Sequence, residues 1–347
     1  MDEERCTTGQ KLLGAWAVLT LAATFFLLCT GGIVTSKGVG MAVPDWPTTY
    51  GYNMFLFPFS KWVGGIFWEH SHRLVASGVG LMTMVLAAGI LAVDRRGWMR
   101  WLGAGAFLLV CLQGLLGGLR VTLYKDEIGI FHALLAQGFF CVLGVIAVGL
   151  SARFRSGRWD VFNPDPALRN LVAGVTVLIF FQLGLGAAMR HEHAGLAIPD
   201  FPLVYGQWIP DTSPAALARI NAARAAGHEM PTNALFIWVQ MVHRGMAALI
   251  LAGALAVAWR ARTASRLRVV KVWSVAWLAL ILGQCGLGAW TIWSNKAADV
   301  ATTHMALGAL ILLFGAVFSF RLCRGAQAAR FRIPEPSTPR ALASTLA

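Results

Sequence analysis

Eight apolar runs, each about as long as a bilayer is thick, constrain this chain more than anything else in it. A membrane-crossing helix needs about 20 apolar residues. The runs lie near 12–34, 64–93, 101–120, 128–150, 169–190, 233–259, 272–293 and 300–321. Backbone polar groups in lipid must be satisfied internally, so such runs fold as helices or not at all. The composition agrees, with 57% hydrophobic and 13% charged residues. The first run follows the polar start MDEERCTTGQK with no small-residue cleavage site, and is read as a retained span.

The net charge of +13 does not point to a nucleic acid. Arg95, Arg96 and Arg100 fall between spans 2 and 3; Arg153, Arg155, Arg158 and Arg169 between 4 and 5; Arg260, Arg262, Arg266, Arg268 and Lys271 between 6 and 7. Arg321, Arg324, Arg330, Arg332 and Arg340 follow the last span. The opposite loops are poorer in cations, so the positive-inside rule places both termini in the cytoplasm. The six cysteines, Cys6, Cys29, Cys111, Cys141, Cys285 and Cys323, avoid the outer loops and match no metal motif, which predicts small apolar residues rather than disulfides.

The chain is written twice. AVPDWPTTYG (42–51) returns as AIPDFPLVYG (197–206), with Phe25-Phe26 matching Phe180-Phe181 and Gly31 matching Gly186. Further on, Glu69, His72 and Arg73 match Gln240, His243 and Arg244; Gln113 and Gly117 match Gln284 and Gly288; His132 matches His304. The extra length of the second copy falls in an outer loop whose SPAALARINAARAAGHE suits a surface helix. With four spans per copy, both copies share one orientation. The expectation is an all-α polytopic membrane protein, two tandem four-helix bundles related by a pseudo-twofold axis along the membrane normal. The halves are 1–150 and 169–321, with a cytoplasmic linker at 151–168 and a tail at 322–347.

His72, His132, His243 and His304 all lie on even-numbered spans, about 6–15 Å below the outer edge at 1.5 Å per residue. Each half thus offers two imidazoles from different helices at similar depth, an axial pair for a haem iron. For a single histidine the competing reading is a satisfied polar residue in a bundle; four in a repeated arrangement favour the ligand. Two histidines without a Cys or carboxylate cluster make a poor zinc site.

Glu69 breaks the symmetry. It lies one turn before His72, and its counterpart Gln240 cannot ionise. The N-terminal site can therefore move protons or stabilise positive charge, whereas the C-terminal site can only hold. Alternatively Glu69 pairs with an arginine and steadies packing. Arg73 and Arg244 are open to three readings: clamps for porphyrin propionates, interhelical ties, or snorkelling cations. Gln113 and Gln284 reach either the pockets or a neighbouring helix. His70 points about 200° from His72 at 100° per residue and faces elsewhere. His191, His193 and His228 read as solvated loop residues. The PDWP and PDFP loops either roof the pockets or anchor at the interface.

Eight spans in two halves, the E-x-x-H-R of Glu69, His72 and Arg73, the HR of His243 and Arg244, and the lone His132 and His304 together resemble the haem A synthase family. That resemblance implies oxidation of the C8 methyl of haem O to a formyl group, by two hydroxylations and loss of water. It implies His72 and His132 as substrate-haem ligands, with Glu69 as catalytic acid or charge stabiliser. It makes His243 and His304 the ligands of an auxiliary haem b that relays electrons. The implied setting is a bacterial inner membrane with the haem sites toward the outer face. Implied partners are a haem O synthase and an electron donor, with homo-oligomerisation open. The outer-loop cysteine pair of some members is absent here. A dihaem b-type cytochrome is the main alternative and a parallel-repeat transporter the second.

Overall fold

The computed structural model describes residues 7–155 and 165–331, with side chains to Arg324 in the last helix. Cys6, residues 156–164 of the 151–168 linker (Arg158 among them), the Arg330 side chain and residues 332–347, with Arg332 and Arg340, lie outside the described set. Eight helices are long and apolar enough to cross a membrane, and the chain is an all-α polytopic membrane protein.

The spanning helices are α1 (Thr8–Ser36), α2 (Gly64–Val93), α3 (Gly97–Thr122), α4 (Asp126–Leu150), α6 (Pro166–His191), α8 (Ala234–Ala264), α9 (Arg268–Trp293) and α10 (Ala298–Phe331). A short α5 (Ala152–Arg155) follows α4, and the surface helix expected in the second outer loop is α7 (Pro214–Ala226). Local chemistry sets several starts. Thr7 and Gln10 form a reciprocal capping box on α1. Asp165 caps α6 with Pro166 following it, Ser213 caps α7 ahead of Pro214, and Asn233 caps α8. In each case a side-chain oxygen takes a backbone N–H that the first turn leaves without an intrahelical partner.

The helices neighbour one another in two rings. In the first, α1 meets α2, α2 meets α3, α3 meets α4 and α4 returns to α1; in the second, α6, α8, α9 and α10 follow the same circuit. Each ring has its own apolar core. Leu86, Ile90, Met99, Leu143 and Ile146 lie in the first; Val172, Val257, Trp277, Ile311 and Phe318 lie in the second. The rings join through α1 with α10, α4 with α6, and α4 with α10. Outward surfaces carry exposed Leu12, Leu19, Phe26, Leu108, Val177 and Leu282, residues that a lipid-facing surface satisfies and a water-facing one would not.

On the basic side, Asp94 is 3% exposed and accepts from Arg96 at 2.6 Å and from Arg155 at 2.8 Å. Burial opposes ionisation of Asp94, but its bonds to Arg96 and the Arg155 charge hold the carboxyl below its ordinary value. This pins the end of α2 to the segment following α4.

Candidate functional site

Each of the four histidines sits in a glycine notch on the neighbouring helix. A Cβ at Gly31 of α1 would lie 2.9 Å from Cε1 of His72; one at Gly117 of α3, 3.3 Å from Cε1 of His132. In the second ring the corresponding distances are 3.5 Å for Gly186 of α6 and His243, and 3.2 Å for Gly288 of α9 and His304. A residue without a side chain lets each ring lie against a helix backbone. His72 and His132 lie within electrostatic reach of each other, as do His243 and His304. All four are half-buried although deep in the bundles, a combination found on the wall of an internal space.

Their hydrogen bonding suits metal ligation. His72 Nδ1 meets Thr30 Oγ1 at 3.0 Å. Nδ1 of His132, His243 and His304 is buried without a partner. The helices carrying three of them are held from behind: Gln113 donates to the His132 carbonyl at 3.0 Å, Gln284 to that of His304 at 2.8 Å, and Gln182 to that of His243 at 2.9 Å. Gln113 and Gln284 therefore spend their amides on interhelical bonds to the histidine backbones. Among the described residues no three His, Cys, Asp or Glu side chains gather as a bare metal ion would require. Two imidazoles per half fit an iron whose other positions are filled by a porphyrin.

Beside each pair lies one of the twin loops, built on the same plan. Asp45 accepts from the backbone N–H of Tyr50 at 2.7 Å and of Gly51 at 2.8 Å, and from the Thr48 hydroxyl. Asp200 accepts from the N–H of Tyr205 at 2.8 Å and of Gly206 at 2.9 Å. Tyr50 and Tyr205 donate to the carbonyls of Ala42 and Ala197. Tyr50, Gly51, Tyr205 and Gly206 all have positive φ, which costs glycine little and tyrosine more. Both PDWP and PDFP contain a cis X–Pro bond.

Arg73 and Arg244 tie these loops to the helices. Arg73 donates to the carbonyls of Asp45, Thr48 and Val43, and Arg244 to those of Asp200, Leu203 and Pro202. Glu69 and Gln240 stand in matching places. Glu69 Oε2 accepts from Val43 N–H at 2.8 Å; Gln240 Oε1 accepts from Ile198 N–H at 2.9 Å. The difference is charge: Glu69 also pairs with Arg73 at 2.6 Å, both side chains being at most 10% exposed, whereas Gln240 donates to the Ile198 carbonyl. Trp46 lies across Gly118, where a Cβ would be 2.4 Å from its ring, one residue beyond the notch of His132. The first loop thus packs onto α3 beside the His132 seat.

His70 is fully buried, with Thr49 Oγ1 at 3.1 Å from Nδ1 and the rings of Phe57 and Trp62 against it. It belongs to the underside of the loop. His193 and His228 are exposed as expected. His191 corrects the sequence reading: it is the last residue of α6, 8% exposed, and packs against Gly129 of α4. The apolar run gave no hint that α6 continues to a histidine buried between the halves. The glycine notches left a partial trace, since Gly31, Gly117, Gly186 and Gly288 recur with the repeat; their role required the fold.

Fold and site together define an eight-helix membrane protein that carries a glycine-seated histidine pair and an arginine-tethered loop in each half. The family model described as cytochrome oxidase assembly protein (COX15-CtaA) matches residues 14–316, and the chain belongs to that haem A synthase family. It is 27% identical over 308 residues to the haem A synthase of Geobacillus kaustophilus, covering 85% of this chain and 86% of that one. It is 28% identical to that of Rhizorhabdus wittichii, covering 86% and 91%, and 28% to that of Shouchella clausii, covering 72% and 82%.

Proposed function

We propose that this protein is a haem A synthase: an oxidoreductase that converts the C8 methyl of haem O to a formyl group in the N-terminal half, with a haem b in the C-terminal half. The observation that carries this reading is the glycine-seated histidine pair, present once in each half, with an ionisable carboxylate beside only one pair. His72 and His132 hold the substrate iron, and His243 and His304 hold haem b. The halves 1–150 and 169–321 are read as equivalents about a pseudo-twofold axis along the membrane normal, which the matching helix circuits support. The relatives named haem A synthase and the shared family support the activity.

When held by His72 and His132, the substrate iron would supply the redox chemistry, and a haem b held by His243 and His304 would supply electrons. Each hydroxylation would exchange one methyl C–H bond for C–OH, with dioxygen as oxidant and oxygen source and its second oxygen leaving as water after taking two electrons from the donor and two protons. Loss of water from the resulting diol leaves the formyl. This chain's own residues position and shield. Glu69, bound to the Arg73 guanidinium and the Val43 N–H, is arranged as a carboxylate and stabilises positive charge developing at the reacting carbon. Gln240 keeps the same loop tether without the charge. The Asp45 loop, with Trp46 on Gly118, excludes water from the first pocket. A farnesylated substrate enters from the bilayer between helices. The cation distribution supports a reading with both termini in the cytoplasm and the sites toward the outer face, in what the family relationship suggests is a bacterial inner membrane. A haem O synthase and an electron donor are the expected partners.

The test is haem extraction and mass analysis after co-expression with a haem O synthase. Wild type accumulates haem A. His72→Ala and His132→Ala lose conversion, while His243→Ala and His304→Ala lose haem b. Glu69→Gln keeps both haems and the loop but slows conversion by about 10-fold or more, the scale of one preorganised electrostatic contact. Unchanged conversion in Glu69→Gln would refute its role. Two unmodified b-type haems in the wild type would favour the cytochrome alternative.

A further inference from the structure

Four cationic or potentially cationic side chains outside the histidine pairs meet where the two rings join. Arg120 lies on α3, one turn beyond Gly117, the notch of His132. Arg190 lies on α6, one turn beyond Gly186, the notch of His243. Residues three or four apart share a helix face, so each arginine stands just outward of a histidine seat, on the same side. His191 and Arg120 pack on the same residue: a Cβ at Gly129 would be 2.4 Å from His191 Cε1 and 3.0 Å from Arg120 Nε. Gly129 is itself one turn from His132. Arg190 reaches across to α1, donating to the Gly32 carbonyl at 2.7 Å and to Ser36 Oγ. Lys296 is close enough to feel Arg190; burial first, and that charge second, hold its ammonium below the ordinary value.

Anions are scarce in this cluster. Arg120 pairs with Asp126 at 2.9 Å, but Asp126 is 46% exposed, and Arg120 Nε is buried without a partner. Among the described residues no carboxylate lies within ion-pair distance of Arg190 or Lys296. Partly buried cations grouped in one region repel, and each is costly without a counter-charge. The repeat counterparts of the two arginines are uncharged: Thr35 and Thr291 stand at the positions equivalent to Arg190 and Arg120, whereas Lys296 has Lys125 as its counterpart. The arginine pair is thus an addition to the duplicated scaffold, set between its two sites. Arg73 and Arg244, the arginines next to the ligands, already spend their guanidinium groups on loop carbonyls.

We propose that Arg120 and Arg190, supported by His191 and Lys296, form a carboxylate-binding layer that receives the propionates of the two porphyrins, Arg120 serving the N-terminal site and Arg190 the C-terminal one. This rests on the haem reading above. A guanidinium presents a planar fork suited to a carboxylate, and in low dielectric such a contact is strong.

The experiment titrates purified, haem-depleted full-length protein with haem b and with haem b dimethyl ester, which keeps the iron and ring but lacks both carboxylates. Wild type is expected to bind the free acid about 10-fold or more tightly than the ester, the worth of one to two charge-assisted bonds. In Arg120→Gln and Arg190→Gln the ratio falls toward one, mainly through weaker binding of the free acid. Arg190→Lys, which keeps the charge, restores most of the discrimination and guards against a folding artefact. Equal affinity of wild type for acid and ester, or an unchanged ratio in both Gln variants, overturns the proposal. Binding of neither porphyrin, or binding unaltered in His132→Ala and His304→Ala, overturns the haem reading with it.

Discussion

At the scale of single residues, the tightest fit is between His72 and Gly31. A methyl group at Gly31 would sit 2.9 Å from the ring, closer than carbon atoms tolerate, and Thr30 holds Nδ1 on the adjacent side. At Gly186 the same methyl would make an ordinary contact at 3.5 Å with His243. Gly31→Ala should therefore displace the His72 ring and reduce substrate-haem retention several-fold, on the scale of about 1–3 kcal/mol for overpacking. Gly186→Ala should leave the haem b spectrum unchanged. Absorption spectra and extracted haem per protein check both; equal behaviour of the two variants would show that the notches do not govern ring placement. The histidines themselves were legible in the sequence because intramembrane ionisable groups are rare and these repeat. Their seats were only half legible: a glycine recurring with the repeat says that something comes close, but not what. His191 was not legible at all, because its burial depends on α4 of the other half.

At the scale of elements, the eight helices followed from apolar run length, and the structure lengthens most of them by a few residues at the ends. The loops were harder. Arg73 meets a carbonyl 28 residues away, and no local pattern announces a side chain that binds main chain across a turn. The duplicated PDWP and PDFP motifs marked these loops as important without saying how they are built. Asp45 organises the first. Burial works against its ionisation, but the Gly51 N–H, the Thr48 hydroxyl and the Tyr50 N–H outweigh it and hold the carboxyl below its ordinary value. The unfolded carboxyl titrates near about 3.9. The loop's stabilisation is therefore fully present above that pH and lost as pH falls through the lower folded value. Limited proteolysis of the first outer loop in detergent should be constant from neutrality down to mildly acidic pH and rise only below about pH 4. Asp45→Asn should remove much of that acid step and raise cleavage at neutral pH. A step centred near neutrality would mean that another group controls the loop.

At the scale of the whole molecule, two complete rings meet through helices that approach closely because glycine permits it. In a bilayer, lipid is as apolar as a leucine side chain, so helices associate through close packing and hydrogen bonds rather than hydrophobic expulsion. Gly144 of α4 faces Leu313 of α10, where a Cβ would be 2.2 Å from Cδ1, and Gly32 of α1 faces Met305 and Thr302 of α10. Ser36 meets Thr302 at 3.1 Å, and Arg190 crosses to Ser36 and Gly32. The same surface thus joins the halves and carries the cationic layer between the histidine pairs, so loosening it should disturb both sites together. Gly144→Leu tests this away from either histidine layer. It should lower thermal stability by about 1–3 kcal/mol through overpacking and broaden the spectra of both haems, whereas Gly78→Ala, whose Cβ meets nothing within 4 Å, should do neither. If Gly144→Leu altered only one haem, the two rings would be independent units that merely touch. If it altered both while Gly78→Ala stayed silent, the inter-ring packing would be what holds the two histidine pairs in register.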